Sequence, residues 1–547
     1  MKATTDPQSG YCSETKTFHS LRPSVPLPPE SLPLSFPSFA LSLLLRHSPP
    51  SPSTPAFIFL SSISLSFSDF LSLSSSLSVS LRVRLRLSKG DVAFILSPLR
   101  LEIPVLLFSL LEIGAVLTPS NPLSSPSDIS RQIRLSRPKI AFATSSTAAS
   151  LPPDLPVVLI DSDDFRSMFV GGGGGGGSED PPPIEVIRQS DTAAILFSSG
   201  TTGRSKAAAI PHRSYIAMVA GFREPAAETA EVTMLLAPLF HTMGLFLCLK
   251  GIALGETTVM AAAERFEVGA VAAAVAEHGV TVLAAAPTVL VALERAAAEG
   301  GIVVGLESLR RVFVGGAPLS REAAERFARR FRHVRIEQGY GSTEAGGIAR
   351  MRREDECENY ESVGKLSENL EAKIADPVTG EPVGVGQQGE LWLRGPPIMK
   401  GYIDDDDANA STFTSNGWLK TGDLCRFDEN GYLYVVDRIK ELIKYKAYQV
   451  PPMELELILR SLPQISDAAV IPYPHEEAGQ IPMACVVRRP GCHIDEATVM
   501  DFVAGQVAPY KKIRRVAFVD SIPKSPTGKV LRRELVSHAI PASASKL

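Results

Sequence analysis

The stretch Ile195-Leu196-Phe197-Ser198-Ser199-Gly200-Thr201-Thr202-Gly203-Arg204-Ser205-Lys206 decides how the chain is read. A hydrophobic strand runs into a loop of small hydroxyl residues and glycines that ends on a lysine. Wrapping a polyphosphate requires close backbone approach, N–H and O–H donors and a cation, and this loop supplies all three. It is not a Walker A loop, because that motif needs GxxxxGK[ST] and here Lys206 follows Gly-Arg-Ser and precedes Ala207. A P-loop kinase or ATPase is thereby excluded.

Outward from the loop, strands alternate with helices. Asp91 to Ser97 reads as a buried strand, Glu102 to Ile113 as a helix stopped by Gly114, and Ala115 to Thr118 as the next strand. Val268, Val271, Ala272 and Val275 lie at helical spacing before Gly279; Val280 to Ala286 is then a strand, and Pro287 opens a helix to Glu299. This alternation predicts an α/β fold with mainly parallel sheets. Residues 1–90 are rich in Ser, Leu and Pro and read as a divergent, loosely structured segment, with Leu81 to Leu87 alternating like a strand with one basic face. The heptaglycine Gly171 to Gly177 and the prolines to Pro183 read as a flexible loop; no strand leads in and no helix follows, so a dinucleotide site there is rejected.

The 547 residues allow about three or four folding units at about 150 residues each. Hydrophobic residues at 44% and charged residues at 21% are globular values that exclude a fibrous or wholly disordered chain. A net charge of -4 provides no field for nucleic acid or anionic membranes. The six cysteines show no CxxC or metal-like spacing, so neither a disulfide framework nor a zinc site is expected. Two apolar stretches, Ala56 to Leu73 and Leu101 to Leu117, are candidate spans. The first is half serine and the second carries Glu102 and Glu112, each costing about 2.5 to 3.5 kcal/mol at a bilayer centre, so both are expected to be non-spanning. No secretory signal is evident at Met1 to Ser20. The closing Ser545-Lys546-Leu547 is the tripeptide read by the peroxisomal import receptor, so a peroxisome is the expected location. Asp404 to Asp407 lacks the glycine-punctuated frame of a calcium loop and reads as a solvated turn.

Further motifs follow the phosphate loop in order: Val314-Gly315-Gly316-Ala317-Pro318-Leu319, Gln338-Gly339-Tyr340-Gly341-Ser342-Thr343-Glu344, Gly417-Trp418-Leu419-Lys420-Thr421-Gly422-Asp423, Asp437-Arg438-Ile439-Lys440-Glu441-Leu442-Ile443-Lys444 and Pro523-Lys524-Ser525-Pro526-Thr527-Gly528-Lys529. With these the chain resembles the acyl-adenylate-forming (ANL) enzymes, the group of plant 4-coumarate-CoA ligases, acyl-CoA synthetases and firefly luciferase. Ser20-Leu21-Arg22-Pro23 is similar to the start of the plant peroxisomal ligase-like members, so the likeness spans nearly the whole chain.

The resemblance implies a large N-terminal adenylating domain of layered sheets and helices (1–437) and a smaller mobile C-terminal α+β lid (438–547). It implies an acid–thiol ligase that uses ATP, Mg²⁺ and coenzyme A, first forming an acyl-AMP and then a thioester. Bringing two anions together requires counter-charge and alignment before bonds form. Lys529 matches the lysine that bridges carboxylate and phosphate. Glu344 matches the residue that helps hold Mg²⁺, a hard ion suited to oxygen ligands. Ser198, Ser199, Gly200, Thr201, Thr202, Gly203, Lys206 and Thr343 are expected at the phosphates, Gly316, Gln338, Gly339 and Tyr340 at the adenine, and Asp423 with Arg438 at the ribose. His241, which alone would read as a core histidine, matches one that orients the carboxylate and gates the acyl tunnel; Met243, Gly316, Gly339 and Met351 would line that tunnel. Lys440 marks the hinge. Rotation there would withdraw Lys529 and bring Lys444 and Gln449 to the adenylate, with Lys446 and Ala447 at the pantetheine and Arg265 at a coenzyme A phosphate.

The sequence departs from the family twice. Ala447 stands where glycine is usual, and its methyl group narrows a channel that needs close backbone approach. Met243 stands where coumarate ligases carry tyrosine, and a flexible, apolar side chain favours a fatty or oxylipin (jasmonate-precursor) acid over a hydroxycinnamic acid. The alternatives are an adenylate former that does not use coenzyme A and a catalytically silent member.

Overall fold

The structure is a computed structural model that describes residues 5–46, 50–59, 63–170, 183, 185–199, 205–222, 231–261, 267–300, 305–446, 448–475, 477–525 and 528–539. Among these, four sheets organise an α/β chain. The first mostly parallel sheet carries the phosphate-loop strands: Thr192–Ser199 lies between Ser205–Pro211 and Val116–Ser120, followed by Val92–Leu96, Ile140–Ala143 and Val157–Leu159. A nine-stranded sheet is parallel at its centre, through Arg335–Ser342, Arg311–Val314, Val282–Ala285, Val232–Leu235, Thr257–Met260 and Pro55–Phe59. An antiparallel sheet built on Glu371–Ala375, Gly389–Arg394, Leu419–Phe427 and Leu433–Arg438 completes the large domain.

The smaller C-terminal domain has its own five-stranded sheet, centred on the pair Ile465–His475 and Gly479–Arg488. Its buried apolar residues, from Ile443 to Leu535, form clusters separate from those of the large domain, whose last buried member is Leu433. Helix boundaries follow local chemistry. Ser125 caps Pro126–Ser136 by accepting from the Asp128 N–H, and Gly279 ends Val268–His278 in the left-handed conformation (φ 60°).

The first ninety residues differ from expectation. Phe36–Arg46 and Phe67–Val83 are helices, and Leu81 to Val83 end the second rather than starting a strand. Phe67, Phe70, Ser74, Leu77, Ser78 and Leu81 form a buried stripe at helical spacing. Its serines are contact residues: Ser109 Oγ of the helix Glu102–Glu112 donates to the Ser74 carbonyl (3.0 Å), and Ser78 Oγ donates to Glu112 (2.6 Å). Composition mistook a close helix contact made of small side chains for low complexity. The two candidate spans resolve into short strands and helices, and no helix among the described residues is long and apolar enough to cross a membrane. Asp405 caps the helix Asp406–Thr412. The heptaglycine and the C-terminal Ser545-Lys546-Leu547 lie outside the described residues.

Arg22 fastens this N-terminal region to the rest. Its two terminal nitrogens each donate to a Glu356 oxygen at 2.7 Å, and one also donates to the Arg350 carbonyl (2.7 Å). Both side chains are buried. Burial raises the Glu356 carboxyl, but hydrogen bonds and charge from Arg22 hold it below its ordinary value. Removing one partner of such a pair strands the other charge, at a cost of about 3–5 kcal/mol. Arg22→Met is therefore expected to lower the thermal midpoint by several degrees in calorimetry; an unchanged midpoint would show that the pair contributes nothing net.

Candidate active site

A cleft of about 2640 Å³ runs between the two domains and gathers most of the motif residues. At one side the phosphate-loop strands are paired in register, Ser199 against Ser205 and Ser198 against Lys206. Gly200, Thr201, Thr202 and Gly203 lie outside the described residues, but both ends of their loop are therefore pinned. Lys206 Nζ stands 4.6 Å from the Tyr402 ring centre, and the Tyr402 hydroxyl donates to Glu344 Oε1 at 2.8 Å. Burial and the neighbouring Glu344 both raise the Tyr402 phenol, so it stays protonated. Tyr402 was not expected from the sequence; Lys400-Gly401-Tyr402 lacks a phosphate-loop pattern, and only pairing with Ala208 brings it here.

The glycine-rich motifs provide the next wall. Gly316, at φ +84°, follows the strand Arg311–Val314, and Gln338, Gly339 and Tyr340 lie on the adjacent strand. Gln338 lines the cleft, although its amide nitrogen donates to the Tyr360 carbonyl (2.8 Å). The Tyr340 hydroxyl donates to Asp423 Oδ2. Asp423 pairs in register with Arg438, whose Nε stands 3.5 Å from Oδ1. Burial raises the Asp423 carboxyl, opposed by Arg438, Tyr340 and Lys529.

Lys529 enters from the other domain. Its loop closes on itself: Leu531 N–H donates to the Pro523 carbonyl (2.9 Å), and Ser525 N–H to the Lys529 carbonyl (2.8 Å). A Cβ on Gly528 (φ +82°) would lie 3.5 Å from Thr288 Cγ2 and 3.9 Å from Ala317 Cβ, so the loop is seated against the large domain. Desolvation, followed by Arg438, lowers the Lys529 ammonium, while Glu441 and Asp423 oppose that.

Behind this lies the acyl side. His241 precedes the helix Thr242–Leu254, which places Met243 and Phe246 one turn apart in the cleft. Gly244 is obligatory, since a Cβ there would fall 2.1 Å from the Pro238 oxygen. Burial pushes the His241 imidazole down to about 4, and its Nε2 has no hydrogen-bond partner. A Cβ on Gly315 would sit 3.2 Å from the Gly339 oxygen and 3.4 Å from Met243 Sδ, so absent side chains hold this space open.

Met351, expected to line the tunnel, does not: it is 1% exposed and outside the cleft lining. The neighbour Arg350 lines it instead, because Arg350 is the residue paired with Gly339 across the strands and successive side chains alternate faces. Glu368 and Phe222, also unforeseen, lie beside Arg350 in the lining. Lys440 and Lys444 line the cleft, whereas Lys446 and Gln449 do not. Arg265 and Ala447 lie outside the described residues.

Mg²⁺ takes one or two carboxylates together with substrate phosphates rather than an all-protein cage. Glu344, beside Lys206 through Tyr402, fits that mode; no cluster of three His, Cys, Asp or Glu exists among the described residues.

The sequence model of the AMP-binding enzymes matches residues 46–403, and that of the AMP-binding enzyme C-terminal domain matches residues 454–529. The chain is 49% identical to 4-coumarate–CoA ligase-like 6 of Oryza sativa subsp. japonica, over 99% of this chain and 93% of the relative. It is 41% identical to the peroxisomal OPC-8:0-CoA ligase 1 of Arabidopsis thaliana, over the full length of both. The fold matches ATP-bound MatB from Rhodopseudomonas palustris with a TM-score of 0.82 at 24% identity, covering 92% of this chain and 99% of that one.

The depressed His241 imidazole has a stability consequence. Between about 4 and the ordinary 6.5 the unfolded chain binds a proton that the folded chain refuses, so stability is lost as pH falls through that window. Buried His212, also lowered to about 4, acts in the same direction. In thermal melts, His241→Asn is expected to lose less of its midpoint than wild type between those pH values while keeping the His212 share; parallel curves would refute this.

Proposed function

Because the chain belongs to the AMP-binding enzyme family, alongside the plant 4-coumarate–CoA ligase-like proteins, we propose that it is an ATP-dependent carboxylate–CoA ligase working in two steps. In the first, a carboxylate oxygen of the acid attacks the α-phosphorus of ATP and pyrophosphate leaves. The observation that carries this reading is Lys529, seated in the same cleft as Asp423, Arg438, Lys206 and Glu344 by a loop lodged against Thr288 and Ala317. A cation there offsets the repulsion between two anions before the bond forms. His241, neutral at physiological pH, orients the carboxylate rather than taking a proton, since a carboxylic acid is already ionised. Tyr340 and Arg438 hold Asp423 ready for the ribose hydroxyls. Mg²⁺, when bound beside Glu344 and Thr343, supplies charge neutralisation to the phosphates.

In the second step the coenzyme A thiol, losing its proton to solvent, attacks the acyl carbon and AMP leaves. Lys446 and Gln449 do not line the cleft in the present arrangement, which supports a rotation at Lys440 of the unit 438–547 against 1–437. The acid is a fatty or oxylipin acid in preference to a hydroxycinnamic acid, on the strength of the flexible, apolar Met243 in the lining. A peroxisomal location accompanies this reading, supported by Ser545-Lys546-Leu547 and by the Arabidopsis relative named as peroxisomal.

Lys529→Ala is expected to lower acid-dependent ATP–pyrophosphate exchange at least about 100-fold. Thioester formation from supplied acyl-AMP should fall less than about tenfold, because Lys529 serves only the first step. Equal loss in both assays would remove Lys529 from that role. A fluorescent fusion that keeps the final tripeptide exposed should collect in peroxisomes, and one lacking it should not.

A further inference from the structure

The far end of the acyl space is polar. From His241 the helix Thr242–Leu254 leads one turn on to Phe246, whose ring lies 5.2 Å from that of Phe222. The Arg350 guanidinium carbon stands 3.6 Å from the Phe222 ring centre. All four residues line the cleft. Arg350 therefore meets an acid whose carboxylate lies at His241 and whose chain passes Met243 and Phe246.

Arg350 is 6% exposed, and its charge is only partly matched. One terminal nitrogen donates to the Gly221 carbonyl and to Glu368, at 3.0 and 3.2 Å from its two oxygens. Glu368 is shared with Arg352 (3.0 Å). The Arg350 Nε–H has no acceptor at all. Buried donors are almost always satisfied, and an arginine offers only donors, so the missing partner is an acceptor oxygen. An acyl pocket for a plain hydrocarbon tail has no use for this group, whose burial is costly.

We infer that Arg350 is a specificity-determining residue that receives a hydrogen-bond-accepting oxygen, a carbonyl or a carboxylate, carried at the distal end of the acyl chain. The inference rests on the ligase reading and narrows its substrate class from fatty and oxylipin acids to distally oxygenated ones. A site built to hydrogen-bond a substrate group rejects the analogue that lacks it, because its own buried donor is then left unpaired.

The test uses the full-length protein and matched medium-chain acids: the plain acid, the keto acid with its carbonyl near the far end, and the dicarboxylate, each read by ATP–pyrophosphate exchange. Wild type is expected to favour an oxygenated acid over the plain one by about tenfold or more in kcat/KM, chiefly through KM. The better of the two oxygenated acids identifies a neutral or an anionic acceptor. Arg350→Lys, which keeps the charge but removes the Nε–H and the planar fork, should bring that ratio toward one. The wild-type comparison needs no variant, so misfolding of Arg350→Lys leaves the idea open to refutation. Exchange with all acids at a wild-type ratio near one overturns the inference while leaving the ligase reading intact, as does a ratio unchanged in Arg350→Lys. Exchange with no acid overturns both.

Discussion

Asp423 is a carboxylate taken almost completely out of water, and the cleft is arranged around the cost of keeping it there. Desolvation alone would favour its neutral form. The Tyr340 hydroxyl from the nine-stranded sheet, Arg438 from the neighbouring antiparallel strand and Lys529 from the C-terminal domain all oppose that tendency. Three separately folded pieces thus meet at one charge. The same meeting lowers the Lys529 ammonium, because burial and Arg438 work against it while Asp423 works for it. An ammonium weakly neutralised by the protein is available to a ligand anion.

Contacts beside this charge hold the smaller domain. Arg532 pairs with Glu456 at 2.6 Å and also with Glu441, close to Lys440. Asp437 accepts from the Met453 N–H at 2.8 Å, inside the first turn of the helix Pro452–Ser461. Burial lifts Asp437 to about 7, against hydrogen bonds from Met453 and Arg438 that favour its charged form. These are polar, directional contacts rather than a shared apolar core, since the clusters on either side of this segment do not merge. Directional contacts can be exchanged for others at little loss, which suits a unit proposed to turn.

How far the sequence could be read depended on whether a side chain's partner was local. The strand into Ser198, the turn at Gly316 and the lysine loop ending on Lys529 have local signatures, because glycines and hydroxyls at fixed spacing set their backbone. Tyr402 and Glu368 have none; each owes its place to strands far away in sequence. Met351 was misplaced by one residue, and on a strand with period two one residue is the difference between the cleft and the packed side. The helix Phe67–Val83 was obscured for another reason: its contact face uses serine where large apolar residues are usual, and so the periodicity disappears from a hydrophobicity reading.

One hairpin reaches every part of the cleft. Along Arg335–Ser342, Tyr340 turns toward Asp423, while the preceding Gly339 leaves the opposite face bare; a Cβ there would lie 2.7 Å from the Phe313 ring. At the turn Glu344 meets Tyr402 and, through it, Lys206. On the return strand Gly346–Arg350, Arg350 stands across from Gly339 and over Phe222. A strand's alternation therefore separates nucleotide from acid by the thickness of one sheet, and the turn between the strands supplies the carboxylate beside the phosphate loop. Because backbone hydrogen bonds fix this register, a change at one end of the hairpin shifts all three positions together. That explains why so short a segment tolerates three glycines before its turn and still holds its shape: the adjoining strands Arg311–Val314 and Lys365–Leu366, not its own side chains, keep it in place.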